Sequence, residues 1–210
     1  MEKFIEVQEN IYRLKIPFTS VTTSVFLIVY ADGYILVDCA TTEFDVQNYI
    51  IPALRCFGVD LNEVKYIVLS HYHEDHSGGI EALKPYCKNA QVIQSVCSLT
   101  NEISTYPMPG HTLDCIGVLD LRSKTLISAD AIQGYGIGEY PCSTHNEREY
   151  LRTIDRVWED ERIENILFSH DYEPWNCDCA FGRENIKICL QDSKEYIDRR
   201  RVKNESNRHQ

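Results

Sequence analysis

Three histidines and one aspartate fall within the six residues His71-Tyr72-His73-Glu74-Asp75-His76. All four side chains can hold a metal ion. Zinc takes imidazole nitrogen and carboxylate oxygen, and a catalytic zinc keeps one position open for water. His71 and His73 are two apart, so in an extended segment they point to the same side. Asp75 and His76 follow as the chain turns, which suits a second ion. Two ions roughly 3.5–4 Å apart can clamp the attacking and leaving atoms of a displacement. One loop does not supply enough ligands for two ions, so others are expected further along the chain.

They recur in order. His111, in Pro109-Gly110-His111-Thr112, lies 35 residues after His76. Asp130 closes Ser128-Ala129-Asp130 19 residues later, and His170 closes Phe168-Ser169-His170 after 40 more. Each follows a strand-like apolar run, as does Asp38 after Val37. Five of the seven histidines are used in this way, leaving His145 and His209. A single histidine is more often a core or surface residue than a ligand; the ordered set carries the argument.

The set resembles the ligand motifs of the metallo-β-lactamase superfamily, in its hydrolase branch, from Asn10 to about Pro174. The resemblance implies that His71, His73 and His111 hold one metal, that Asp75, His76 and His170 hold a second, and that Asp130 bridges both. It gives Asp38 the task of ordering the surrounding shell. The implied fold is α/β, a four-layer αβ/βα sandwich with its metals at one edge of the sheets. The implied cofactors are two divalent ions, zinc first, although iron and manganese accept the same ligands. The implied activity is hydrolysis of a small-molecule ester, thioester or lactone by a metal-bound hydroxide. Asp75 would orient the hydroxide and pass its proton to the leaving group.

Two alternatives stand beside it: a mononuclear iron dioxygenase of the same fold, and a metal-binding protein without turnover. Only 40 residues follow His170, too few for the whole C-terminal helical region of glyoxalase II-type thioesterases. Acyl-homoserine lactonases often carry a tyrosine three residues after the bridging aspartate, where this chain has Gln133. Tyr135, in Gly134-Tyr135-Gly136, is the candidate substrate contact, although a tyrosine packed over a glycine-rich turn reads the same way. The separation of 35 positions between His76 and His111 is shorter than such enzymes carry, which predicts a shortened sheet edge.

The elements that must position these residues are legible from pattern. Strands are expected over 11–16, 22–30, 34–37, 64–69, 91–96, 116–120, 125–128 and 164–169. A helix is expected over 43–57, kinked at Pro52 and stopped by Gly58. A short one follows the metal loop over 79–84. Another, capped by Asn146, runs to Trp158 with an apolar stripe of Tyr150, Leu151, Ile154, Val157 and Trp158. A terminal helix runs from Arg183 to about Arg200.

The 210 residues suit a single domain, 1–210, with residues 201–210 as a polar C-terminal tail. The net charge of −11 counts against a nucleic-acid partner and leaves a small-molecule substrate. No apolar run reaches the length of a membrane span, and the first residues do not read as a signal peptide, so a cytoplasmic protein is expected. Nine scattered cysteines agree with a reducing compartment rather than a disulfide framework. Cys177-Asp178-Cys179 is the one pair suited to a soft metal or to thiol–disulfide cycling, against the plainer reading of two loop thiols. A homodimer is the commonest assembly on general grounds.

Overall fold

The computed structural model describes residues 2–134, 146–171 and 177–208, with side chains to residue 197 in the last helix. The chain divides into two compact units, Met1–Tyr106 and Pro107–Gln210.

The first unit is built on a mixed sheet in the order β1-β2-β3-β4-β5-β6. Its strands are β1 (Ile5–Gln8), β2 (Ile11–Phe18), β3 (Val21–Tyr30), β4 (Gly33–Val37), β5 (Val64–Val68) and β6 (Gln91–Ile93). The first four form an antiparallel meander. β4, β5 and β6 then run parallel through helical crossovers, so β4 and β5 release their following loops at one edge. Alternation along β2 and the run of buried residues in β3 place Leu14, Ile16, Val25 and Leu27 in a core shared with Leu36 and Leu54. The edge strand β6 is three residues long, against the six that its sequence suggests.

The helix expected over 43–57 is three segments. α1 (Glu43–Asp45) leads into a π-helical turn, Val46–Ile50, and then α2 (Ile51–Phe57). Thr42 and Asp45 close a capping box at the start, and Gly58 ends the run in the left-handed conformation at φ 91°. Pro52 has no N–H to offer the carbonyl of Asn48, and in an α-helix its ring would collide with that carbonyl. The wider turn before it relieves the collision, so the proline produces a change of helical pitch where the sequence suggests a simple kink. Two short helices, α3 (Glu74–Ser77) and α4 (Ile80–Leu83), follow β5.

β7 (Ile103–Pro107) carries the chain from one unit to the other. In the second unit, strands β8 (Ile116–Asp120), β9 (Thr125–Ala129), β10 (Asn165–Phe168) and β11 (Cys179–Phe181) lie in the order β11-β10-β9-β8. β8 and β9 are antiparallel, β9 and β10 parallel, and β10 and β11 antiparallel. α5 (Glu147–Glu159) starts at Asn146, whose side-chain oxygen accepts from the N–H groups of Arg148 and Glu149. It buries Tyr150, Ile154 and Val157 as expected, with Thr153 completing the buried face.

α6 (Arg183–Arg208) is longer than its sequence suggests: residues 201–208 of the expected tail continue the helix, in line with the helix propensity of Arg, Lys and Glu. Arg183 opens α6 and caps the end of α5. Its guanidinium donates to the carbonyls of Trp158, Asp160 and Ile163. Such charge-assisted bonds to helix-end carbonyls are among the stronger kinds. Arg183→Ala is therefore expected to lower unfolding free energy by about 2–3 kcal/mol in urea titration, with Arg183→Lys recovering part of it. An Arg183→Ala variant as stable as the parent would remove the cap from the account. Among the described residues, no helix is long and apolar enough to cross a membrane.

Candidate metal centre

In the first unit the ligand loop leaves the end of β5, where Leu69 N–H still bonds Ile93 O at 3.0 Å. The chain bends at Tyr72 and His73, and the rings of His71 and His73 have their centroids 4.6 Å apart. α3 then turns Asp75 and His76 inward. His76 Nε2 lies 3.3 Å from Asp75 Oδ2, and the His76 ring is centred 4.3 Å from that of His71. His71, Asp75 and His76 are buried and His73 is half-buried.

Asp38, just past β4 and fully buried, orders this loop from behind. One carboxylate oxygen accepts Ser70 N–H at 2.8 Å. The other accepts the Ser70 hydroxyl at 2.9 Å and meets His76 Nδ1 at 2.8 Å. Ser70 has one hydroxyl proton and spends it on Asp38. Its oxygen, 3.0 Å from His71 Nδ1, must then accept from that nitrogen. Both imidazoles are thereby set as Nδ1–H tautomers, which presents Nε2 as the candidate ligand nitrogen. The segment after β4 also grips the loop by its backbone. Asp38 and Ala40 take positive φ, 65° and 56°, and Cys39 donates both N–H and S–H to His76 O. A Cβ on Gly79 would lie 2.2 Å from Cys39 O, so only glycine lets the two segments approach this closely.

In the second unit, strand direction gathers the candidate ligands. β9 and β10 are parallel, so Asp130 and His170 emerge at the same end. β8 is antiparallel to β9, so the loop preceding β8, which carries His111, lies at that end too. Asp130 Oδ2 is 3.6 Å from His111 Nε2, and Asp130 Oδ1 is 3.2 Å from His170 Nε2. One carboxylate thus faces two imidazoles, one oxygen to each. All three residues are buried.

α5 braces the His111 loop: Asn146 N–H donates to Gly110 O, and the Thr153 hydroxyl to Pro109 O at 2.7 Å. Gly110 sits at φ 154°, and a Cβ there would lie 2.6 Å from Tyr150 Cα. Gly110→Ala should cost about 1–3 kcal/mol of stability by displacing backbone from backbone, and should reduce metal retention through the candidate ligand His111. Urea unfolding and metal analysis would check this; parent-like values for both would mean that the loop yields without consequence.

The structure thus groups His71, His73, Asp75 and His76 in the first unit, and His111, Asp130 and His170 in the second. Tyr135, the expected substrate contact, lies outside the described residues, as does His145. Sequence reasoning missed Ser70, whose role depends on Asp38 lying 32 positions earlier. It also missed Thr23, whose hydroxyl donates to Asp75 O at 3.1 Å. The donor set is imidazole and carboxylate throughout, with ring tautomers fixed by outer partners, and this chemistry fits zinc or another borderline divalent ion.

Residues 19–96 match the family model described as the metallo-beta-lactamase superfamily. A hydroxyacylglutathione hydrolase of Rhodopseudomonas palustris (strain HaA2) is 26% identical over 181 residues, covering 75% of this chain and 66% of the relative. A beta-lactamase-like protein 2 homolog of Drosophila melanogaster is 25% identical over 164 residues, covering 64% and 54%. The chain thus spans between about half and two thirds of the length of these relatives. The DIM-1 metallo-beta-lactamase superposes with a TM-score of 0.72 over 90% of this chain and 97% of its own, at 16% identity. The FIM-1 enzyme of Pseudomonas aeruginosa, solved in a mono-zinc form, gives 0.70 over 93% and 96%, at 18% identity. At such identity the likeness is one of fold. Residues 19–96 are thus similar to the metallo-β-lactamase superfamily, and the chain has the α/β sandwich fold of these structural neighbours.

Proposed function

We propose that the two units act as one metallo-β-lactamase-like domain and that the chain is a metal-dependent hydrolase of small-molecule esters, thioesters or lactones. In this reading His71, His73 and His111 hold one divalent ion, Asp75, His76 and His170 hold a second, and Asp130 joins them. The observation that carries it is the Asp130 carboxylate, which faces His111 with one oxygen and His170 with the other. Two zinc ions would supply a Lewis acid and a water ionised near neutral pH. Asp75 would orient that water and carry its proton toward the leaving atom, while Asp38 and Ser70 keep the imidazoles aimed. The hydroxyacylglutathione hydrolase relatives favour a thioester within this class.

Metal content by mass spectrometry, on protein purified without added metal, tests the reading together with a panel of thioesters and lactones. Close to two zinc ions per chain, with turnover lost in Asp75→Ala, is the expected result. One iron per chain and no hydrolysis would replace the proposal with the dioxygenase alternative. Because ligands bind metal as neutral imidazole and ionised carboxylate, metal retention and turnover should fall together as pH is lowered. Turnover that survives acid after the metal has gone would contradict the proposed role of the ions.

A further inference from the structure

A second chemical feature lies within the second unit, apart from the ligand residues. A cavity of about 380 Å³ between β11 and α6 is lined by three thiols, those of Cys177, Cys179 and Cys189, among Phe168, Phe181 and Ile188. Cys177 and Cys179 are two apart along an extended stretch and present their side chains to the same space. Cys189 comes from α6. The Cys177 thiol donates to Cys179 O at 2.9 Å, and the Cys189 thiol donates to Gln133 O at 3.2 Å. A Cβ on Gly134 would lie 3.2 Å from Cys177 Cβ and 3.7 Å from its sulfur. Cys177 and Cys189 therefore approach the same two-residue stretch, Gln133–Gly134. They differ in access: Cys177 is half-buried and Cys189 is buried.

We propose that this cavity is a site of reversible oxidation, at which hydrogen peroxide converts Cys177 to a sulfenic acid and Cys189 captures it as a disulfide. In the first step the Cys177 sulfur takes one peroxide oxygen and the other leaves as water. In the second, the Cys189 sulfur attacks the Cys177 sulfur. The sulfur–oxygen bond breaks, and the departing hydroxyl takes the Cys189 proton to leave as a second water. Peroxide is the oxidant in full, and the thiol pair gives up two electrons.

The surroundings favour this over capture of a soft metal. Burial pushes the Cys189 thiol up to about 12, so it is held neutral. A metal–thiolate cluster would gather anionic sulfurs in an apolar cavity beside Asp192, whereas thiol and disulfide are both uncharged. The same neutrality makes closure slow, since the thiolate is the attacking form. The bond would tie the segment entering β11 to α6. That segment is held beside β10, where Phe168 N–H bonds Asp178 O at 2.9 Å, two residues before His170.

The test treats the full-length, metal-loaded protein with a slight excess of hydrogen peroxide, blocks remaining thiols, and maps tryptic peptides by mass spectrometry. The expected product joins peptide 163–183 to peptide 188–194 and is reversed by dithiothreitol. It should vanish in Cys177→Ser and in Cys189→Ala, and persist in Cys179→Ser. Cys189→Ala keeps the buried position apolar, and its circular dichroism should match the parent. A cross-link that survives Cys177→Ser, a bond confined to peptide 163–183, sulfinic acid without a cross-link, or intact thiols would each overturn the assignment. The readout is a covalent bond, so it stands or falls independently of the proposed hydrolase activity.

Discussion

Asp130→Ala is expected to release both metal ions and to lower turnover by more than about 100-fold, the upper end of the loss seen when only an outer partner of a metal ligand is removed. The expectation rests on the position of one side chain. Asp130 is buried, and its two oxygens face His111 and His170 at 3.6 and 3.2 Å. As the proposed bridge it is the one residue assigned to both ions. Alanine would leave neighbouring imidazoles without the anion that balances the metal charge. Asp130→Asn keeps the shape and one carbonyl oxygen, and should retain more metal than alanine but less than the parent. Metal analysis beside circular dichroism separates ligand loss from unfolding. A folded Asp130→Ala chain that keeps one ion at full occupancy would show that the carboxylate serves only the other.

Asp38→Ala should produce the largest loss of stability, about 3–5 kcal/mol, the cost of removing one partner from a buried polar pair. Asp38 accepts from Ser70 N–H and Ser70 Oγ and meets His76 Nδ1, all within 2.9 Å. Removing it strands three buried donors, each an expensive loss. Asp38→Asn is the more informative variant. Asparagine tolerates the positive φ of 65° at this position, so the backbone is kept. Its amide NH₂ would confront donors where the carboxylate accepted them, and the His76 tautomer would no longer be held. Metal affinity should fall about 10–100-fold with a much smaller stability loss than in the alanine variant. Calorimetric metal titration and urea unfolding measure the two effects separately. Parent-like metal affinity in Asp38→Asn would show that the imidazoles are oriented by other means.

The sequence by itself determined much of the chemistry. Ligand type depends on residue identity, and His71, His73, Asp75 and His76 are close enough in the chain for local geometry to pair them. The cap at Asn146, the stop at Gly58 and the strand over 116–120 were legible because their causes are also local: a side-chain oxygen, a missing Cβ, an apolar run. What was not legible depends on distant partners. β11 is three residues long and exists by pairing with β10, and β1 pairs with β2 at the sheet edge. Too few residues are involved in either for a periodic pattern to show.

The π-helical turn before Pro52 is a compromise between a proline and the helix packed around it, which composition does not reveal. Ser70 looks like a linker residue until Asp38 is placed against it. The convergence of His111, Asp130 and His170 was decided by strand direction, with α5 bracing the His111 loop. β9 and β10 run parallel and β8 runs against them, so residues 19 and 40 positions apart emerge at one end of a sheet. The identity of a ligand is carried by one side chain, whereas its position is a property of hydrogen-bonded neighbours far away in the chain, and only the folded sheet supplies them.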